Sequence, residues 1–153
     1  MTINNKKRAI LLLAGTALLI YLLWLFLRPV EIVAVHQRST NDSAILVRNF
    51  PLSDKGKINW WLKNRAMIKE KYNVPYPDEN GFFSVTLWLF GEGYKEDKQD
   101  DDQYCFNDMK VKKRCIEKDA VFIIGSSPGN QAYFGVDNGK YRLRNNGEVD
   151  KVE

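Results

Sequence analysis

Histidine is nearly absent from this 153-residue chain, where His36 stands alone, and cysteine is almost as scarce, with only Cys105 and Cys115. A single histidine rules out the HExxH zinc motif. Two cysteines this far apart supply neither the CxxC pair of a tetrahedral metal site nor that of a dithiol redox centre. The acidic residues 97–102 lack the DxDxDG spacing and following bidentate glutamate of a calcium loop. Gly91-Glu92-Gly93 has neither the third glycine nor the following helix of a phosphate loop and reads as the end of a strand. No metal, cofactor or catalytic set is expected. His36 is the one candidate general base, but a lone histidine closing an apolar strand reads as a boundary or hydrogen-bonding residue.

An excess of one charge is also missing once position is considered. The chain carries 23 Lys and Arg against 19 Asp and Glu, a net charge of +4. Lys6, Lys7, Arg8 and Arg28 account for the whole excess, so residues 29–153 hold 19 basic and 19 acidic side chains. Their neutrality removes the electrostatic footprint that nucleic-acid binding requires. Residues 54–72 are locally basic and residues 92–108 locally acidic, and both stretches read as solvated faces.

What is present is a long apolar run. Residues 9–27 contain no charge and no proline and follow directly on Lys6-Lys7-Arg8. As a helix the run reaches about 28 Å, close to the roughly 30 Å hydrocarbon core of a bilayer. It is too long, and too poor in a small-residue cleavage site at its end, for a cleaved signal peptide. With three cations before the span and Arg28 alone just after it, the expected orientation is N-terminus inside. Tyr21, Trp24 and Phe26 near the trailing end suit an interfacial aromatic belt or lipid-facing filler. The expected organisation is a cytoplasmic N-terminus at 1–8, a transmembrane helix at 9–27 and a periplasmic α+β domain at 28–153. An oxidising compartment would join Cys105 to Cys115.

The exported part reads as one domain. Residues 30–36 and 44–49 are β-branched runs separated by the polar residues 37–43, a hairpin. After Pro51, Ser53 or Asp54 caps a helix whose apolar positions Ile58, Trp61, Leu62, Ile68 and Tyr72 recur at helical steps; Asn73 and the prolines at 75 and 77 stop it. Residues 82–90, FFSVTLWLF, are expected as a central strand. Residues 120–124, 131–137, 140–144 and 148–152 then read as short strands, joined at Ser127-Pro128-Gly129-Asn130, Asn138-Gly139 and Asn146-Gly147. The fold class is α+β: a mostly antiparallel sheet with one long amphipathic helix packed on it.

Two features are candidates for holding a partner. Trp60 and Trp61 are adjacent on the helix, so about 100° separates them. Trp61 joins the apolar stripe, and Trp60 lies at the edge as an anchor unless a broad buried face covers both. Lys140, Arg142 and Arg144 alternate with Tyr141 and Leu143, so a strand gathers the three cations on one face. Such a row suits an acidic partner, or simply a solvated sheet face.

The stretches Arg28-Pro29-Val30-Glu31-Ile32-Val33-Ala34-Val35-His36, Leu46-Val47-Arg48-Asn49-Phe50-Pro51-Leu52 and Asp54-Lys55-Gly56-Lys57-Ile58-Asn59-Trp60-Trp61-Leu62 carry a likeness across nearly the whole chain. Gly91-Glu92-Gly93-Tyr94-Lys95-Glu96, Cys105-Phe106-Asn107-Asp108-Met109-Lys110, Cys115-Ile116-Glu117-Lys118 and Tyr141-Arg142-Leu143 extend it. With these segments the chain resembles an uncharacterised family of enterobacterial membrane proteins, a domain of unknown function. The resemblance implies an inner-membrane anchor and a small exported domain, and carries over no catalytic residues.

Together these readings lead to a noncatalytic periplasmic binding domain on a single inner-membrane span, whose partners are the lipid bilayer and a protein. A sharper form is an immunity protein against a periplasm- or membrane-acting toxin. The alternative is an envelope assembly or stress factor acting partly through its span, where Gly15-Thr16-Ala17 permits close helix approach without a GxxxG motif. An enzyme would have to depend on His36.

Overall fold

Asn4 caps the first helix, α1 (Asn5–Leu27), by accepting from the Lys6 amide. The helix thus starts before the apolar run, and Lys6, Lys7 and Arg8 ride on its first turns. None of its residues is buried, so α1 stands clear of the rest of the chain. The structure is a computed structural model describing residues 4–126, 129 and 131–153.

Arg28-Pro29-Val30 leads straight into β1 (Glu31–Ser39), which pairs antiparallel with β2 (Asp42–Arg48) from Glu31↔Arg48 to Ser39↔Asp42. The hairpin is closed by Thr40 and Asn41 alone, tighter than the polar stretch 37–43 suggests. The polar residues are absorbed into the strands by their own hydrogen bonds. The Gln37 amide donates to the Ser39 carbonyl at 2.7 Å and accepts from the Ser43 hydroxyl at 3.1 Å.

The helix α2 (Asp54–Tyr72) opens on Ser53, whose hydroxyl accepts from the Gly56 amide at 3.0 Å. It closes on Asn73, left-handed at φ 55° with its N–H on the Lys69 carbonyl. This is the Ser-to-Asn capping grammar the sequence announces. α2 is the crossover between β2 and β3 (Ser84–Leu89), which run parallel from Asp42↔Ser84 to Val47↔Leu89. The other neighbours are antiparallel: β7 (Ala120–Ser126) against β3, then β8 (Ala132–Val136), β9 (Gly139–Leu143) and β10 (Val149–Lys151). The seven-stranded order is β1-β2-β3-β7-β8-β9-β10. Of the expected connection at 127–130, all but Gly129 lies outside the described residues.

Residues 92–117, read from the sequence as an acidic loop leading to the cysteines, build a second sheet instead. β4 (Lys95–Glu96) and β5 (Gln103–Cys105) flank β6 (Lys113–Glu117). Strands of two and three residues are too short to show alternation, which is why the sequence pattern misses them. Cys105 and Cys115 face one another across β5 and β6 and are joined by a disulfide.

The result is three layers. On one face of the main sheet Ile58, Trp61 and Ile68 of α2 pack on Ile45, Val47, Val85, Leu87, Phe122, Ile124 and Phe134. On the other face Ala44, Leu46, Trp88 and Phe90 pack against Phe106 and Ile116 of the small-sheet segment. β2 and β3 are therefore buried on both sides, which accounts for their unbroken apolar sequences AILV and LWL.

The helix is less cleanly amphipathic than its spacing suggests. Its buried residues are Lys57, Ile58, Trp61 and Ile68, while Trp60 and Leu62 are half-buried and Met67 is exposed. The Lys57 ammonium is held inside by donating to the Val121 carbonyl and to Asp137, each at 3.0 Å, which meets the requirement that a buried charge be paired.

The disulfide closes a loop of sequence separation 10 in the smaller sheet. Replacing both cysteines by serine is expected to cost about 2.5–3 kcal/mol in the chain-entropy account. Urea unfolding of the full chain in detergent, compared between the parent and the double variant, measures it.

Candidate functional site

His36 lies near the end of β1, in register with Ala44 and on the face that the small sheet covers. It is 6% exposed, and both ring nitrogens are occupied. Nδ1 is 2.7 Å from Asp108 Oδ2 and Nε2 is 2.8 Å from the Tyr94 hydroxyl. A carboxylate only accepts, so in the neutral ring Nδ1–H donates to Asp108, leaving Nε2 to accept from Tyr94 O–H. Burial, and secondarily the negative charge of Asp108, push the Tyr94 hydroxyl above its ordinary pKa.

Aromatic contacts close the same joint. The imidazole stacks on Phe106 with ring centres 4.0 Å apart, and Tyr94 meets Phe90 edge-on at 5.0 Å. Tyr104 stacks on Trp88 at 4.7 Å and carries the Arg38 guanidinium on its other side at 4.3 Å. Strands β1 and β3 of the main sheet are thereby fastened to separate parts of the 90–118 segment. Beside Asp108 opens a polar cleft of about 260 Å³ lined by Arg38, Asp42, Tyr104 and Asn107.

Connectivity of carboxylate, imidazole and hydroxyl is also that of a nucleophilic triad, with a phenol in the place of the aliphatic hydroxyl or thiol. The sequence reads as holding no GxSxG elbow, but the pattern does occur at Gly125-Ser126-Ser127-Pro128-Gly129. An elbow turns from strand to helix, whereas this segment joins antiparallel β7 to β8, and Ser127 lies outside the described residues. Asp97 lies with both cysteine sulfurs within 4.8 Å, but the disulfide leaves no thiolate to bind a metal.

The four residues expected to meet a partner fall on opposite faces of the sheet. Trp60 sits on the α2 side, half-buried, with its ring 5.2 Å from Phe50 in an edge-on contact. Lys140 and Arg142 point the other way, since Tyr141 and Leu143 between them join the α2 core. The cations are partly neutralised within the protein: Arg142 and Arg144 both reach Asp150, and Arg144 also pairs with Glu148. Lys140 lies over the Tyr133 ring at 4.5 Å.

The face carrying these cations is the half of the sheet that the small sheet leaves open. Cross-strand register places Ile123, Gly135 and Lys140 in one row and Gly125, Tyr133, Arg142 and Asp150 in the next. Ile123 is 39% exposed. Tyr133 lies so close over Gly125 that a Cβ there would overlap its ring, so this glycine keeps the surface flat beneath the phenol. Sequence alternation located the cations but not their neighbours, because Ile123, Tyr133 and Asp150 come from three other strands.

Alkaline pH tests the His36 joint. A hydroxyl whose pKa is raised on folding contributes stability that is complete below the unfolded-state value near 10 and is lost as pH rises through the folded value. The Lys95 ammonium, raised by its hydrogen bonds to Glu117 and Glu92, adds a loss of the same sign. Tyr94→Phe is expected to lower stability by about 1–2 kcal/mol at neutral pH, leaving Nε2 unpaired, and to flatten the decline above pH 10. Denaturant midpoints of parent and variant across that range check both effects.

Compared with known proteins, the chain matches no curated protein and no solved structure. Residues 3–153 match one family, described as "Enterobacterial putative membrane protein (DUF943)". The match spans the apolar helix, both sheets and the His36 joint, and the chain belongs to this family of enterobacterial membrane proteins.

Proposed function

We propose that the protein is a single-pass inner-membrane protein whose periplasmic domain binds a protein partner and catalyses nothing. The observation that carries the reading is the open half-face of the main sheet. It offers an exposed apolar centre, Ile123 beside Tyr133, rimmed by Lys140 and Arg142, in a domain whose one histidine is consumed internally. An apolar centre with an aromatic and an arginine is the composition of a binding patch. Trp60, packed on Phe50 at the far side, is a core-edge residue in this account and not part of the patch.

Charge and redox chemistry support the orientation. Three cations precede α1 and Arg28 alone follows directly, which favours a cytoplasmic N-terminus. A cross-strand disulfide suits the oxidising periplasm. For the partner, the reading favoured here is immunity: the domain captures a toxin that acts in the periplasm or at the membrane. Anchoring on a single span keeps such a protein at the surface where the toxin arrives.

A photo-crosslinking residue at Ile123 is expected to capture one discrete envelope or incoming protein in intact cells. Arg142→Glu should reduce that product several-fold without altering expression. Diffuse products unaffected by Arg142→Glu would overturn the patch. Removing the gene is expected to sensitise cells to a competitor carrying the cognate toxin, with the parent gene and not the Arg142→Glu form restoring survival. Equal survival in contact with such competitors would defeat the immunity reading.

A further inference from the structure

We propose that the corner between β2 and α2 is a second membrane contact, in which Leu52 enters the headgroup region of the bilayer that α1 crosses. The proposal rests on the reading of α1 as a transmembrane helix. Leu52 is 87% exposed, more than any other large apolar side chain among the described residues, including those of α1 itself. A single exposed leucine is ordinary on a soluble surface. Its position relative to the end of α1 sets this one apart.

Leu27 ends α1, and the Asn49 side chain donates to the Pro29 carbonyl at 3.5 Å. That bond ties the β2–α2 corner to the second residue beyond the helix. From Asn49 to Leu52 the chain spans at most about 10 Å, and the headgroup region is about 5–7 Å deep on each side of the hydrocarbon core. The Arg28 guanidinium lies over the Trp24 ring at 4.9 Å, and Tyr21 stacks on Trp24, so the last two turns of α1 and its C-cap carry groups of the kind found at the interface level.

The corner is held stiffly on both sides of Leu52. Phe50, 7% exposed, packs between Trp60 and Phe122 at 5.2 and 5.9 Å, and Ser53 caps α2. Pro51 restricts the backbone between them. Leu52 is thus presented outward by fixed neighbours, with Lys55 exposed on the first turn of α2 to meet anionic headgroups. A lipid surface, already reached by the same chain three residues upstream of β1, is the occupant that this placement fits. Its consequence is that the domain cannot swivel freely on Arg28-Pro29-Val30: two contacts fix which face turns outward.

The full-length protein, reconstituted in vesicles of phosphatidylethanolamine and phosphatidylglycerol, tests this with Leu52→Cys carrying an environment-sensitive fluorophore. The native cysteines are oxidised and do not react. Leu22→Cys in α1 and Asp101→Cys in the exposed acidic loop are labelled in parallel. The expected result is a blue-shifted label at position 52, quenched by lipid-borne nitroxide and several-fold less by iodide than the label at 101. If position 52 is as open to iodide as 101 while 22 is quenched from the lipid, the span stands and the second contact is wrong. If 22 is also open to iodide, the transmembrane reading falls and the proposal with it.

Discussion

The hydrogen-bonded chain Asp108–His36–Tyr94 is the constraint on which the three-layer arrangement depends. Two bonds of 2.7 and 2.8 Å from one buried ring bind strand β1 to two stretches that are 72 and 58 residues away in sequence. The segment they hold has little regular structure of its own: strands of two, three and five residues and one disulfide. So small a sheet cannot bury enough apolar surface to stand alone. Its stability comes from docking Phe106 and Ile116 on Ala44, Leu46, Trp88 and Phe90, with His36 fixing where it docks.

This division explains the uneven exposure of the main sheet. Over β1, β2 and β3 both faces are covered, by α2 and by the small sheet. Over β7 to β10 the described residues cover only the α2 face, and the other side turns to Ile123, Tyr133 and alternating cations. A surface available for a partner is therefore the complement of the surface that the His36 joint closes. The joint sets the limits of the patch without belonging to it.

Much of the framework was legible because its signals are local. Ser53 and Asn73 bracket α2, Asn138-Gly139 lies at the β8–β9 turn, and the charge-free run 9–27 lies wholly within α1. The facing cysteines could be paired from compartment alone. The small sheet was not legible, since two of its three strands are only two and three residues long, too short to show a repeated alternation. Nor were the partners of His36: an aspartate after Cys105-Phe106-Asn107 and a tyrosine after Gly91-Glu92-Gly93 acquire meaning only when the fold brings them to one ring. The cations of β9 show the converse. Their alternation was plain, but Asp150, which takes up Arg142 and Arg144, comes from the next strand.

Amide hydrogen exchange on the full chain, comparing the parent with His36→Phe, tests the central claim most directly, because phenylalanine keeps the stack on Phe106 and removes both hydrogen bonds. The account predicts a selective loss of protection in residues 94–117, with α2 and strands β7 to β9 keeping parental protection. Uniform protection in both proteins, or an equal loss everywhere, would contradict it.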